Sequence, residues 1–159
     1  MSRRDKPHEG KPKRSAYDRG LRMLARREHS RRELRARLEH GGYDEDEAVE
    51  AVRSLGERQY QDDARFAEML MRARVAHGYG PARIRAELRS HGLAAAAIDA
   101  LLAGADLDWD ALAAAQLRKK YGTEPATDHA ERGKRAAFLV RRGFGAATVR
   151  AVTRAEPGD

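Results

Sequence analysis

A pattern of apolar residues and glycines recurs along this chain with a period close to 50 residues. A repeat constrains a fold more than any single motif, because every copy must adopt the same supersecondary unit. Residues 30–52, SRRELRARLEHGGYDEDEAVEAV, align with residues 80–101, GPARIRAELRSHGLAAAAIDAL. Leu34 and Leu38 fall on Ile84 and Leu88, Gly42 on Gly92, and Tyr43 on Leu93; with one residue of slip, Val49 and Val52 fall on Ile98 and Leu101. A third copy, FLVRRGFGAATVRAV over 138–152, places Leu139, Gly143, Phe144, Val149 and Val152 about 51 residues further on.

Each copy predicts three helices. The first is amphipathic, with Tyr17, Leu21 and Leu24, then Phe66, Leu70 and Ala73, then Trp109, Leu112 and Leu117 near helical spacing. A break follows, where Ser30 suits an N-cap and Pro81 suits the first position of a helix. The second helix carries apolar residues four apart and ends at Gly42, Gly92 or Gly143, since glycine adopts the left-handed conformation that closes a helix. A short third helix completes the unit. A unit this small buries little surface alone, so neighbours must cover one another. The expected architecture is all-α, an elongated tandem array of three three-helix units over 16–58, 60–104 and 107–155, the last divergent. Helices of this size make an array reaching ~60 Å. Such a reach suits a protein that spans several subunits of a polymer or several turns of a nucleic acid.

Composition agrees with that architecture and removes several chemistries. Ala, Leu, Arg and Glu dominate, and the 5 prolines leave helix propensity high over most windows. Aromatics at 6% against 36% charged residues favour thin cores between short helices. The absence of Cys removes disulfides, thiolate zinc sites and a cysteine nucleophile. No apolar run approaches membrane-spanning length and no signal peptide is evident, so a soluble, cytoplasmic protein is expected. Residues 1–15 hold six Lys/Arg against two acids and almost nothing apolar, and read as a disordered basic arm, either a tether to a polyanion or a solubilising tail.

Two adjacent carboxylates in YQDDARFAE (60–68) raise the question of a metal or acid/base pair. Only Glu68 lies nearby to complete a ligand set, whereas Asp62 or Asp63 stands where the first helix of the second unit begins and can meet its unpaired N–H groups. The capping reading is the one adopted.

The same stretch, followed by RARVAHGYGPARIRAELRSHGL (72–93), DWDALAAAQLRKKYG (108–122) and RRGFGAATVRAV (141–152), resembles the RecX family, bacterial regulators of the RecA recombinase. Asp62, Asp63, Phe66, Gly80, Pro81, Gly143 and Phe144 carry the resemblance as structural positions, over about Ser15 to Arg154. It departs from the family in GERQYQDD, which lacks the small apolar pair that usually precedes the aspartates, and in the polar segment GTEPATDHAERGK. The resemblance implies tandem three-helix units, no enzymatic activity, no cofactor, and binding to the recombinase filament on single-stranded DNA with reduced ATP hydrolysis and strand exchange. It places the protein in recombination, DNA repair and the SOS response, as a monomer without a membrane partner.

Charge suggests how such binding would work. Residues 16–40 hold eight Arg against four acids, and 44–57 hold six acids against Arg53 alone; 64–91 carry six Arg and two Glu, and 99–110 supply four Asp with no base. If units stack in register, one bank is basic and the other acidic. The basic bank suits weak, sequence-independent contact with DNA phosphates, and its candidates are Arg26, Arg27, Arg31, Arg35, Arg72, Arg74, Arg83, Arg85, Arg89, Arg118, Lys119, Arg141 and Arg142. For any single one of these, a cation on a solvated helix face is the more common reading. Tyr79, in GYGP, is either a loop contact or a wedge between units, and Trp109 reads as a core anchor. The rival reading is a helix-turn-helix DNA-binding protein or transcriptional regulator. The third helix of the second unit, AAAAIDALL, has almost nothing to offer a base edge, which argues against it. The six His are scattered with no i, i+4 pair, and neither a phosphate-cradling loop nor a nucleophile elbow is present.

Overall fold

The computed structural model describes residues 14–154. The basic arm expected over 1–15 thus lies outside the described residues except for Arg14 and Ser15, as does residue 155 at the other end. Nine helices and no strand occur among the described residues. They are α1 Ala16–Arg26, α2 Arg31–His40, α3 Glu45–Glu57, α4 Asp63–Ala76, α5 Pro81–Ser90, α6 Ala95–Gly104, α7 Trp109–Tyr121, α8 His129–Arg141 and α9 Ala146–Arg154. They form two compact units that divide between Asp62 and Asp63. The first holds α1–α3; the second holds α4–α6 and α7–α9.

Helix starts follow from short polar side chains. Ser15 Oγ accepts from the Asp18 N–H at 3.1 Å, Ser30 Oγ from the Glu33 N–H at 3.1 Å, and Asp44 Oδ1 from the Glu47 N–H at 2.8 Å. Asp108 and Asp128 do the same for α7 and α8. Pro81 opens α5 without a side-chain cap, its missing N–H being one the first turn leaves unpaired anyway.

Every second helix ends alike. Gly42, Gly92 and Gly143 have φ of 98°, 84° and 94°, in the left-handed region. The N–H of the following residue reaches back five positions, Tyr43 to Leu38, Leu93 to Leu88 and Phe144 to Leu139, at 3.1 to 3.2 Å. The glycine N–H pairs three positions back, which completes a Schellman closure. Each closure folds an apolar side chain onto the helix it ends: Tyr43 and Phe144 are buried and Leu93 is half-buried.

The cores use the aligned positions, with one change of register. Leu34, Leu38, Ile84, Leu88 and Leu139 are fully buried. In the third helices no slip is needed. Ala48 and Val52 match Ile98 and Leu102 as buried residues, while Val49 is 41% exposed. The small side chain of Ala48 hid the true register, because Val49 beside it is the more conspicuous apolar residue. In the third copy the position of Leu34 and Ile84 is taken by Arg135, which is buried, donates to the Glu124 carbonyl at 3.0 Å and pairs with Glu131 at 3.1 Å. Its guanidinium lies over the Tyr121 ring at 5.0 Å, so an aromatic face substitutes for an aliphatic contact.

Candidate nucleic-acid interface

Within the second unit, the loop GYGP between α4 and α5 meets the end of α8. The Gly80 N–H donates to the Arg142 carbonyl at 2.8 Å and the Ala82 N–H to the Gly143 carbonyl at 2.9 Å. The Tyr79 ring, half-buried, lies between two guanidinium groups, Arg83 at 3.9 Å and Arg142 at 4.2 Å from its centroid. Arg142 also donates to the carbonyls of His77 and Gly78 and to Gln116 Oε1. These contacts commit Arg142 to joining α8, α7 and the α4–α5 loop. Cation–π stacking of this kind contributes about 0.5 to 2 kcal/mol per pair. Tyr79 therefore sits at the junction of the second and third helical triplets. Trp109 packs against the cores of both triplets, with its ring 6.5 Å from that of Phe144.

The other positions carrying the resemblance are local. Asp63 opens α4 and Asp62 precedes it, at the positive end of that helix. Phe66 is buried against Ile84 and Leu88, with its ring 4.6 Å from that of His91.

Many of the cations singled out from sequence stand beside carboxylates. Arg27 meets Glu33 at 2.5 Å, Arg35 meets Glu39 and Glu45 at 2.8 Å, and Arg72 meets Glu68 at 2.5 Å. Arg74 reaches Glu87 at 2.7 Å, Arg83 the same Glu87 at 3.8 Å, and Arg85 reaches Asp99 at 3.2 Å. Arg35–Glu45 and Arg85–Asp99 tie the second helix of a triplet to its third. The acidic third helices therefore neutralise part of the basic second helices across these seams. Exposed pairs of this kind are weak, yet a phosphate must displace a carboxylate to use them. Arg31 is exposed. Arg26, Arg89, Arg118, Lys119 and Arg141 are exposed and carry no ion pair with a described residue.

Arg26 does not stand alone. It shares an open cavity of about 520 Å³ with Arg14, Arg19 and Arg22. Those three were not singled out from sequence, where the charge total over residues 16–40 runs across α1 and α2 together and does not separate one helix face from another. The available signal was the i, i+3, i+7 spacing of Arg19, Arg22 and Arg26 on one face of α1.

Comparison with known proteins accounts for the whole described fold. Three family models match in order: "RecX, first three-helix domain" over residues 16–55, "RecX, second three-helix domain" over 62–102, and "RecX, third three-helix domain" over 108–153. A "Regulatory protein RecX" of Stenotrophomonas maltophilia (strain R551-3) is 43% identical over 157 residues, covering 99% of this chain and 94% of the relative. Another of that description, from Xanthomonas axonopodis pv. citri (strain 306), is 45% identical over 141 residues, covering 89% and 87%. Among solved structures, RecX from Lactobacillus salivarius superimposes with a TM-score of 0.71 at 21% identity, covering 87% of this chain and 92% of that one. A structure described as regulatory protein RecX gives 0.73 at 24% identity, covering 89% and 70%. These two carry the fold alone; the family models and the relatives above 40% identity carry more, and by them this chain belongs to the RecX family of regulatory proteins.

Proposed function

We propose that this protein binds the RecA recombinase filament on single-stranded DNA and restrains it, lowering ATP hydrolysis and strand exchange and so modulating recombination, DNA repair and the SOS response. The observation supporting this most is the ordered succession of three RecX domains over residues 16–153. On this reading the protein is not an enzyme; it acts by occupying the filament, as a cytoplasmic monomer whose own contact with single-stranded DNA is weak and sequence-independent. No helix among the described residues is long and apolar enough to cross a membrane. Exposed cations without an ion pair to a described residue, such as Arg89, Arg118 and Lys119, are the better candidates for filament contact. Arg83 and Arg142 are occupied at the Tyr79 junction.

The test is single-stranded-DNA-dependent ATP hydrolysis by the cognate recombinase, titrated with this protein beside its binding to bare DNA at matched salt. Inhibition at substoichiometric protein with weak affinity for bare DNA is expected. No effect on hydrolysis, together with tight sequence-selective duplex binding, would replace this reading by the helix-turn-helix one. Charge reversal at Arg89, Arg118 and Lys119 should weaken inhibition without unfolding the chain, whereas reversal at Arg83 should also loosen the α5–α8 contact.

A further inference from the structure

The arginines of the first unit fall into distinct groups. Arg27, Arg35, Arg37 and Arg53 each pair with one or more of Glu33, Glu39, Glu45, Glu50 and Glu57. Arg14, Arg19, Arg22 and Arg26 are all exposed and form no ion pair with a described residue, and the four of them line one open cavity. Met23 and Ala25 also line it, as an apolar floor. Asp18, one turn before Arg22, is the acid nearest in sequence and makes no ion pair with it. The cavity is held in shape. Ser15 caps α1, the Tyr43 hydroxyl donates to the Arg14 carbonyl at 2.5 Å, and Gly20 lets α1 lie close on Leu55 of α3.

We propose that this four-arginine groove on α1 is a binding site for the phosphodiester backbone of a single-stranded nucleic acid. The proposal rests on the regulatory reading above for the identity of the polyanion and gives it a specific place on the first unit. Arg19, Arg22 and Arg26 follow one another by about 4.5 and 6 Å along the helix axis. Arginine stems are flexible enough to bring three forks at that spacing onto consecutive phosphates, and each planar fork matches two phosphate oxygens. Gathering four guanidinium groups in one groove without an ion pair to a described residue, in a unit that pairs Arg27, Arg35, Arg37 and Arg53, costs mutual repulsion. A polymer with one anion per repeating unit relieves that repulsion by releasing counterions. The Met23 and Ala25 floor accepts the uncharged sugar edges between phosphates.

The test uses the full chain and a fluorescein-labelled oligothymidylate, with affinity measured over a series of KCl concentrations. Three proteins are compared: the unmutated chain, the R19Q/R22Q/R26Q variant, and an R37Q/R53Q variant that removes the same kind of charge from ion-paired positions. Gln and Arg have similar helix propensity, and thermal unfolding followed by circular dichroism verifies that all three remain folded. Loss of three phosphate contacts should lower the slope of log affinity against log salt by about 2, at ~0.7 per contact on a single strand. The R37Q/R53Q variant should keep the original slope. An unchanged slope in the α1 variant overturns the site. So does unchanged oligonucleotide binding combined with lost inhibition of the recombinase, which would assign the groove to an acidic protein surface. If the α1 variant loses slope while the unmutated chain leaves ATP hydrolysis untouched, the site stands and the regulatory reading falls.

Discussion

Gly80 and Gly143 meet main chain to main chain, so closely that a Cβ built on Gly80 would lie 2.5 Å from the carbonyl carbon of Gly143. No rotamer change relieves that approach, because the obstructing atoms are backbone. Gly80→Ala must therefore part the α4–α5 loop from the end of α8 and weaken the stacking of Arg142 on Tyr79. A loss of about 1 to 3 kcal/mol is expected, as for other overpacked sites, read from the urea midpoint. Gly133→Ala is the control. Its Cβ would meet nothing within 4 Å, and it lies inside α8, so it should stabilise by about 1 kcal/mol. Equal effects of the two substitutions would contradict the close junction.

The aligned core positions are not equivalent in chemistry, and their variants should differ accordingly. Leu88 is fully buried among Phe66, Ile84 and Ile98, so Leu88→Ala should cost about 2 to 5 kcal/mol. Arg135 stands where Leu34 and Ile84 stand in the other copies. Arg135→Leu fills the space with an aliphatic side chain but leaves Glu131 and the Glu124 carbonyl without this cation, so it should be destabilising. Arg135→Ala removes the same donor and also leaves the space empty, and should be the more damaging. Urea midpoints that rank Leu below Ala at this position would show that the space does not accept an aliphatic side chain and that filling it is not what Arg135 contributes.

What the sequence made legible follows from what repeats. Three glycine closures and the buried Leu34, Leu38, Ile84, Leu88 and Leu139 recur at fixed offsets, so periodicity exposes them. The register of α3 against α6 was harder to see because Ala48, fully buried, carries a weaker apolar signal than exposed Val49. Contacts that occur once leave no periodic trace. Nothing in the spacing of Tyr79, Arg83 and Arg142 announces that one ring will lie between two guanidinium groups 59 residues apart in sequence. The α1 groove has a third cause. Regional charge totals are blind to pairing, and only with carboxylate positions known do Arg14, Arg19, Arg22 and Arg26 separate from their paired neighbours.

The end of α3 departs from the glycine rule and offers a stabilising change. Gln59 has φ of 62°, and the N–H of Tyr60 reaches back to the Leu55 carbonyl at 3.0 Å, the same closure that glycine makes elsewhere. A side chain in the left-handed region costs about 1 to 2 kcal/mol. Gln59→Gly should recover part of this, raising stability by about 1 kcal/mol after the greater unfolded-state freedom of glycine is subtracted. A lowered thermal midpoint would mean that Gln59 side-chain contacts outweigh the strain.

The N-terminus of α8 should sense acid. Glu131 accepts from the Thr127 N–H at 3.0 Å and from the Thr127 hydroxyl at 2.8 Å, while Arg135 stands 3.1 Å away; together these hold its carboxyl down at about 2. A depressed carboxyl favours the folded state while it is ionised there. The contribution is therefore full above the ordinary carboxyl range near 4.5 and is lost as pH falls through about 2. The Arg53 hydrogen bond also holds the Glu50 carboxyl below the ordinary carboxylate range, so a global unfolding curve would mix the two effects. The site-specific measurement is the side-chain carboxyl carbon shift of Glu131 by NMR, with amide exchange along the first turn of α8. A midpoint near 2 is expected, with faster exchange at the lowest pH. Thr127→Val removes the hydroxyl donor and keeps the N–H, and so should move the midpoint partway back toward 4.5. A midpoint above 4 in the unmutated chain would show that the Glu131 carboxylate does not hold Thr127 in solution, and α8 would then begin on the Asp128 cap alone.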